Sequence, residues 1–286
     1  MKMKLHTIHT GNFKLDGGAM FGVVPKVIWN KLNPADENNL CNWAMRCLLV
    51  ETDNRRILID CGIGNKQSEK FFGYYYMNGE QSLELSLKQA GFEPADITDV
   101  LLTHLHFDHC GGAVRKNQEG TLVPTFPNAV YHTGEEHWKH ANNPNPRERA
   151  SFLPENFVPL LETGVLNLLQ NGDQLAAGFK IRMVNGHTMG MAIPQILAGG
   201  KELIYCADLI PSHQHIPVHY TMGYDIEPLV VMHEKEKLYN EEINNNRLYY
   251  FEHDPDMECA TIEKIEAGSK ATFRLKLKGS LSDFIN

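Results

Sequence analysis

Three histidines and an aspartate crowd into six residues of the segment Thr103-His104-Leu105-His106-Phe107-Asp108-His109-Cys110-Gly111-Gly112, at the end of a short apolar run, Ile97–Thr103. That run reads as a buried strand. Side chains two apart on extended chain point the same way, so His104 and His106 leave the strand end together. The Phe107-Asp108-His109 turn brings a carboxylate and a third imidazole near them. Imidazole with carboxylate is a donor set for Zn²⁺, and also for Mn²⁺, Fe²⁺ or Co²⁺.

The rest of the composition narrows the setting. The 286 residues suffice for one large domain or two modest ones. Lys plus Arg is 27 and Asp plus Glu is 35, a formal charge of −8 with no dense basic cluster. Such a chain is a poor holder of a nucleic-acid backbone or an anionic membrane. No apolar run approaches the roughly 20 residues of a membrane helix. Met1 to Thr10 lacks an apolar core of signal-peptide length and reads as mature sequence. The six cysteines (Cys41, Cys47, Cys61, Cys110, Cys206, Cys259) form no C-x-x-C pair. That argues for reduced thiols in a cytoplasm rather than a cysteine zinc module or a disulfide framework.

Leu15 to Leu40 is rich in turn residues and long for a connection, which marks it as functional. Strands are expected over Trp43–Glu51, Arg56–Asp60, Asn128–His132, Phe179–Asn185, Ala192–Ala198, Glu202–Ala207 and Arg247–Phe251, with a hairpin over Ala260–Leu277. Helices are expected over Glu80–Ala90, Gly134–His140 and Glu227–Ile243. Asn142 to Pro159 reads as irregular. Strands in runs, with helices between, favour layered sheets flanked by helices.

The H-x-H-x-D-H segment resembles the signature of the metallo-β-lactamase superfamily. Gly186-His187-Thr188-Met189-Gly190 is similar to that family's Gly-His-Thr-x-Gly segment, Tyr205-Cys206-Ala207-Asp208 to its strand-terminal aspartate, and Phe251-Glu252-His253-Asp254 to its final histidine. Asp60 lies in the family's Leu-Ile-Asp-x-Gly turn. The resemblance implies an α/β fold, the αβ/βα four-layer sandwich, as one domain over residues 1–286 with 15–40 as a long loop at the pocket or dimer interface. It implies two divalent metal ions, most simply zinc: His104, His106 and His187 on one, Asp108, His109 and His253 on the other, and Asp208 touching both. The dizinc β-lactamases carry cysteine where Asp208 stands, so the chain resembles the branches with a bridging carboxylate. Cys206 reads as a packed thiol. His6, His9, His132, His137, His140 and His233 read as surface or capping residues, whereas His213, His215 and His219 are candidates for the pocket mouth.

Asp16–Pro25, Ala207–His213 and Tyr220–Asp225 resemble the N-acyl homoserine lactonase branch, which is related to methyl parathion hydrolase. That implies opening of a lactone ring by a hydroxide held between the metals, with Asp108 moving the proton to the leaving alcohol. Met20, Phe21 and His213 are the expected substrate contacts, and the partners are a small-molecule lactone or ester and a second copy in a homodimer. Val23, Val24, Trp29, Phe107, Met189, Met191 and Met222 are further candidates for an apolar wall. Pro211 stands where those lactonases place a substrate-contacting tyrosine; Tyr220, Tyr224 or His213 could replace it. A phosphotriesterase or promiscuous esterase is the runner-up. A thioesterase, a nuclease, a redox diiron protein and a non-enzymatic metal binder fit the residues less well.

Overall fold

The computed structural model describes residues 3–241, 246–267 and 270–285. Its plan is set by the antiparallel pair β1 (Lys4–Asp16) and β2 (Leu40–Glu51). Trp43 to Val50 of β2 are all buried, so both faces of that strand are covered. Strand alternation sorts the side chains. Leu48 and Val50 enter one apolar cluster, while Cys47 and Leu49 enter another on the opposite face.

The chain continues through β3 (Arg56–Ile59), β4 (Asp99–Leu101), β5 (Val114–Lys116), β6 (Leu122–Pro124), β7 (Val130–Gly134) and β8 (Leu166–Leu169). β5 and β6 pair with each other. The remaining six form a sheet in the order β1-β2-β3-β4-β7-β8, antiparallel up to β3 and parallel beyond it. A second sheet holds β9 (Gln174–Ala176), β10 (Phe179–Val184), β11 (Met191–Ala198), β12 (Lys201–Tyr205), β13 (Arg247–Tyr250), β14 (Cys259–Ala267) and β15 (Lys270–Gly279). Its order is the reverse of the chain order, and only β12 and β13 run parallel.

The two sheets face each other, and β13 shows how the layers stack. The Tyr250 hydroxyl donates to the Cys47 carbonyl of the first sheet at 3.0 Å. Tyr249 points the other way and meets Tyr239 of helix Pro228–Asn240 edge-on at 5.7 Å. Helices Leu83–Gln89 and Val158–Glu162 bury Leu87 and Leu160 against the outer face of the first sheet. The arrangement is the helix–sheet–sheet–helix sandwich expected. No helix among the described residues is long and apolar enough to cross a membrane.

Most expected elements are present within a residue or two. Glu242 and Ile243, the expected end of the long helix, lie outside the described residues. β1 has no counterpart in the sequence reading, because its polar, half-buried side chains lack an apolar run. The segment 15–40 is not one long loop. Leu15 and Asp16 end β1, and helices Gly17–Phe21 and Lys26–Trp29 follow, the first capped by the Asp16 carboxylate on the Ala19 N–H at 2.8 Å.

Candidate metal centre

β4 stops at Leu101, and the next residues are held by the turn that ends β3. Asp60, in the left-handed region at φ 59°, accepts from the Thr103 N–H and hydroxyl, both at 2.8 Å. Gly111 and Gly112 let the following turn press on the same loop. A Cβ at either position would stand 2.1 Å from the Ile63 carbonyl oxygen or 2.2 Å from that of Cys61. The other expected residues also follow strand ends: His187 after β10, Asp208 after β12 and His253 after β13.

The structure brings all seven expected ligands together. His104, His106, His187 and Asp208 offer ligand atoms within 4.8 Å of one another, as do Asp108, His109 and His253. His106 Nδ1 lies 3.1 Å from His104 Nε2 and 3.2 Å from His187 Nε2. His109 Nε2 and His253 Nε2 are 3.1 Å apart. Asp208 stands between the groups, with Oδ2 at 3.2 Å from His187 Nε2 and Oδ1 at 3.1 Å from His253 Nε2. Asp108 Oδ2 is 3.7 Å from both His109 and His253.

A metal ion fits this geometry. The five imidazoles are buried and turn nitrogens toward one another, which needs a cation or protons between them. Tetrahedral nitrogen ligands at about 2.0–2.1 Å from zinc stand about 3.3 Å apart, close to the separations found here. Burial, then the neighbouring histidines, hold His104 well below the usual imidazole range. Burial works against the charged form of Asp208 too, yet His109, His253 and His187 hold its carboxyl well below the ordinary range.

The outward nitrogens are steadied as well. His187 Nδ1 lies 2.9 Å from Asp225 Oδ1, and His253 Nδ1 donates to the Ala44 carbonyl at 2.8 Å. His109 Nδ1 is 3.0 Å from Glu252 and 3.3 Å from Asp60. His104 Nδ1 is 3.1 Å from the Thr103 hydroxyl, whereas His106 Nε2 has no hydrogen-bond partner among the described residues, Glu148 Oε2 standing 3.7 Å away. Such outer partners fix ring orientation and raise ligand basicity.

The sequence pattern of the metallo-beta-lactamase superfamily matches residues 46–242. The chain belongs to that superfamily. An N-acyl homoserine lactonase of Bacillus thuringiensis is 26% identical over 197 residues, covering 65% of this chain and 67% of its own. A "probable metal-dependent hydrolase" from Staphylococcus aureus superposes with a TM-score of 0.84 at 29% identity, over 96% of this chain and 97% of its own. A dizinc quorum-quenching lactonase, AidC, superposes at 0.76 and 22% identity, over 96% and 94% of the two chains, which speaks to fold alone. The protein is a metallo-hydrolase of the metallo-beta-lactamase superfamily.

Asp108, Asp208, His106, His187 and His253 of this metallo-hydrolase line a cavity of about 350 Å³, the scale of a small-molecule site. Met20, Phe107 and Met222 line it as expected, together with Leu15, Tyr75 and Tyr224. Phe21 does not reach it. Its ring is buried, stacked on Trp29 at 5.5 Å and on His215 at 4.8 Å. His213 does not reach it either, because Asp254 Oδ2 draws its Nδ1 to 2.5 Å. His215 is buried behind Met20 and donates to that carbonyl at 2.9 Å. His219 and Tyr220 are also outside the lining among the described residues, as are Val23, Val24, Trp29, Met189 and Met191. His132 and His137 are interior rather than surface residues. His132 Nε2 pairs with Asp99 at 2.9 Å, while His137 Nε2 accepts from the Leu105 N–H at 2.8 Å.

Sequence reasoning missed Glu148, Tyr75 and the outer roles of Asp225 and Glu252. Glu148 sits in the stretch read as irregular, yet it is buried and accepts from Thr188 Oγ1 at 2.5 Å and Asn145 Nδ2 at 2.6 Å. Glu252 and Asp225 carried a weak signal, one beside His253 and the other ending Tyr220–Asp225.

Proposed function

We propose that this metallo-hydrolase opens the ring of N-acyl homoserine lactones, with zinc as the resident metal. The observation that carries the reading is the placement of an apolar wall directly beside the ligand cluster. Met20, Leu15, Phe107 and Met222 share one cavity with Asp108, Asp208, His187 and His253. An acyl chain would lie on that wall, each buried methylene contributing up to about 0.8 kcal/mol. The lactonase relative from Bacillus thuringiensis supports the same substrate class. A cytoplasmic homodimer belongs to this reading too.

His104, His106 and His187 would hold one ion, Asp108, His109 and His253 the other, and Asp208 both. Two bound divalent ions supply hydroxide at neutral pH and polarise the carbonyl under attack. The remaining chemistry is the chain's own. Asp108 faces the cavity and can take a proton and return it to the leaving alcohol. Tyr75 and Tyr224 also face it, and neither hydroxyl has a hydrogen-bond partner among the described residues. Burial, then the negative charge of Asp108, pushes the Tyr75 phenol up to about 12, and partial burial with the same charge raises Tyr224, which keeps 39% of its surface exposed. Both phenols stay protonated at neutral pH and can donate to a developing alkoxide. Tyr224 is therefore the best-placed replacement for the tyrosine that Pro211 displaces.

The test is proton release by one metal-loaded preparation over a chain-length series of acyl homoserine lactones, beside an aryl phosphotriester. Rates rising with acyl length are expected. Negligible turnover of every lactone, with strong phosphotriester cleavage, overturns the reading.

A further inference from the structure

The cavity is bounded on one side by Arg147, the lysine-or-arginine member of its lining among the described residues. Its Nη2 donates to the carbonyl of Gly223 and, at 3.4 Å, to that of Asp225. Those carbonyls tether the solvent-exposed guanidinium at the edge of the cavity without neutralising it. No carboxylate of the described residues forms an ion pair with Arg147, and neither Nε nor Nη1 has a protein acceptor among them.

The acids around it are otherwise engaged. Glu148, the next residue, accepts from His140 Nε2 at 2.9 Å, from Asn145 Nδ2 and from Thr188 Oγ1. Asp108 and Asp208 belong to the ligand cluster. A fixed cation with spare donors, opening on a cavity whose neighbouring acids are already committed, is complementary to an anionic oxygen group on whatever enters. In a chain of net charge −8 the long-range field disfavours anions, so a local cation is needed to select one.

We infer that Arg147 is a specificity-determining residue that receives a carboxylate at the far end of the substrate's acyl arm. The preferred substrates are then lactones or esters of carboxylate-terminated acids rather than of simple fatty acids. This rests on the hydrolase reading for what is cleaved, but not for what is bound.

The two are separated by measuring binding and turnover on the metal-loaded protein. The probes for binding are straight-chain dicarboxylates from four to ten carbons, each against its half-amide. One carboxylate in both can meet the ligand cluster, and only the second differs. At the length that spans the cavity, the dicarboxylate is expected to bind about tenfold tighter than its half-amide. Arg147→Lys should keep most of that ratio, and Arg147→Gln should bring it to about one. Thermal melts of the variants show whether the latch to Gly223 matters for folding. The Lys variant keeps the charge and so tests selection even if Gln is poorly folded. Equal binding of the pair at every length, in wild type, overturns the inference. Turnover is read with the matching p-nitrophenyl esters, carboxylate-ended against amide-ended. A protein that discriminates the acids but cleaves neither ester counts against the proposed ester and lactone cleavage and leaves the anion site standing. Cleavage of both esters at equal rates, with equal binding of the acids, does the reverse.

Discussion

The ligand cluster and the wall beside it share a cavity but are built by different means. Four of the five imidazoles, those of His104, His109, His187 and His253, are gripped twice, by their neighbours inside and by a carboxylate, hydroxyl or carbonyl outside, as with Asp225 on His187 and Ala44 on His253. The wall is held mostly by packing. Met20 packs with Phe21 in one apolar cluster, and the hydroxyls of Tyr75 and Tyr224 have no partner among the described residues. A group gripped by directional contacts has one geometry, whereas a packed thioether adapts to what lies against it. Chemistry should therefore fail abruptly when the cluster is altered, and selectivity should drift when the wall is altered.

The comparison breaks most visibly at Asp208. Asp208→Ala is expected to lose metal and turnover together, by more than about 10³-fold in kcat/KM, since several kcal/mol of charge stabilisation goes with the ions. Metal analysis beside steady-state kinetics checks it, and a variant retaining both ions and full rate would remove Asp208 from the cluster. Asp108→Asn keeps the shape and loses the proton-accepting oxygen, so kcat should fall by about 10²–10⁴. A variant within a few-fold of wild type would make Asp108 a bystander. Outside the first ring of ligands, Asp225→Ala should weaken metal binding by about 10–100-fold, measured by chelator competition.

The wall gives smaller and differently shaped effects. Burial, opposed only in part by the bond to Met20, lowers the His215 imidazole to about 3. Its folded value lies below its unfolded one, so the unfolded chain binds the extra proton. His215 thus costs nothing above about pH 6.5, and stability falls as pH drops from there toward 3. Between pH 7 and 5 the loss from this one group is about 2 kcal/mol. Urea melts at both pH values should show a smaller difference for His215→Phe than for wild type; equal differences would mean that the imidazole titrates freely. Least in size, Met20→Ala should cost long acyl chains a few-fold more in kcat/KM than short ones. Equal losses at all lengths would detach Met20 from the acyl groove.

The same contrast governs what could be read from the residues. All seven members of the cluster were legible because their types are rare together and each follows an apolar strand. The core strands were legible for the related reason that burial on both faces leaves an unbroken apolar run, as in Trp43 to Val50. β1 escaped notice because Lys4–Asp16 mixes polar and apolar residues and carries a register shift between His9 and Asn12. The wall was half legible. Met20 was found and Phe21 misplaced, since neighbouring helix positions point about 100° apart and here Phe21 turns onto Trp29 and His215, which sequence alone does not reveal. Glu148 and Arg147 come from a stretch with no periodicity, placed by contacts with residues some 40 and 76 positions away.

The turn 222–225 holds several attachments at once. Asp225 orients His187 through one oxygen and accepts from the Met222 N–H through the other at 2.8 Å. Met222 and Tyr224 line the cavity, and Gly223 binds Ala19 at 2.7 Å and receives Arg147. A four-residue segment thus touches the ligand cluster, the cavity and two neighbouring segments. Libraries aimed at new selectivity through this turn will be culled first by metal retention, and surviving variants should cluster at positions 222 and 224. Divergence of substrate range in such a scaffold is cheaper through Leu15, Met20 or Tyr75, where a change in shape leaves the ions undisturbed.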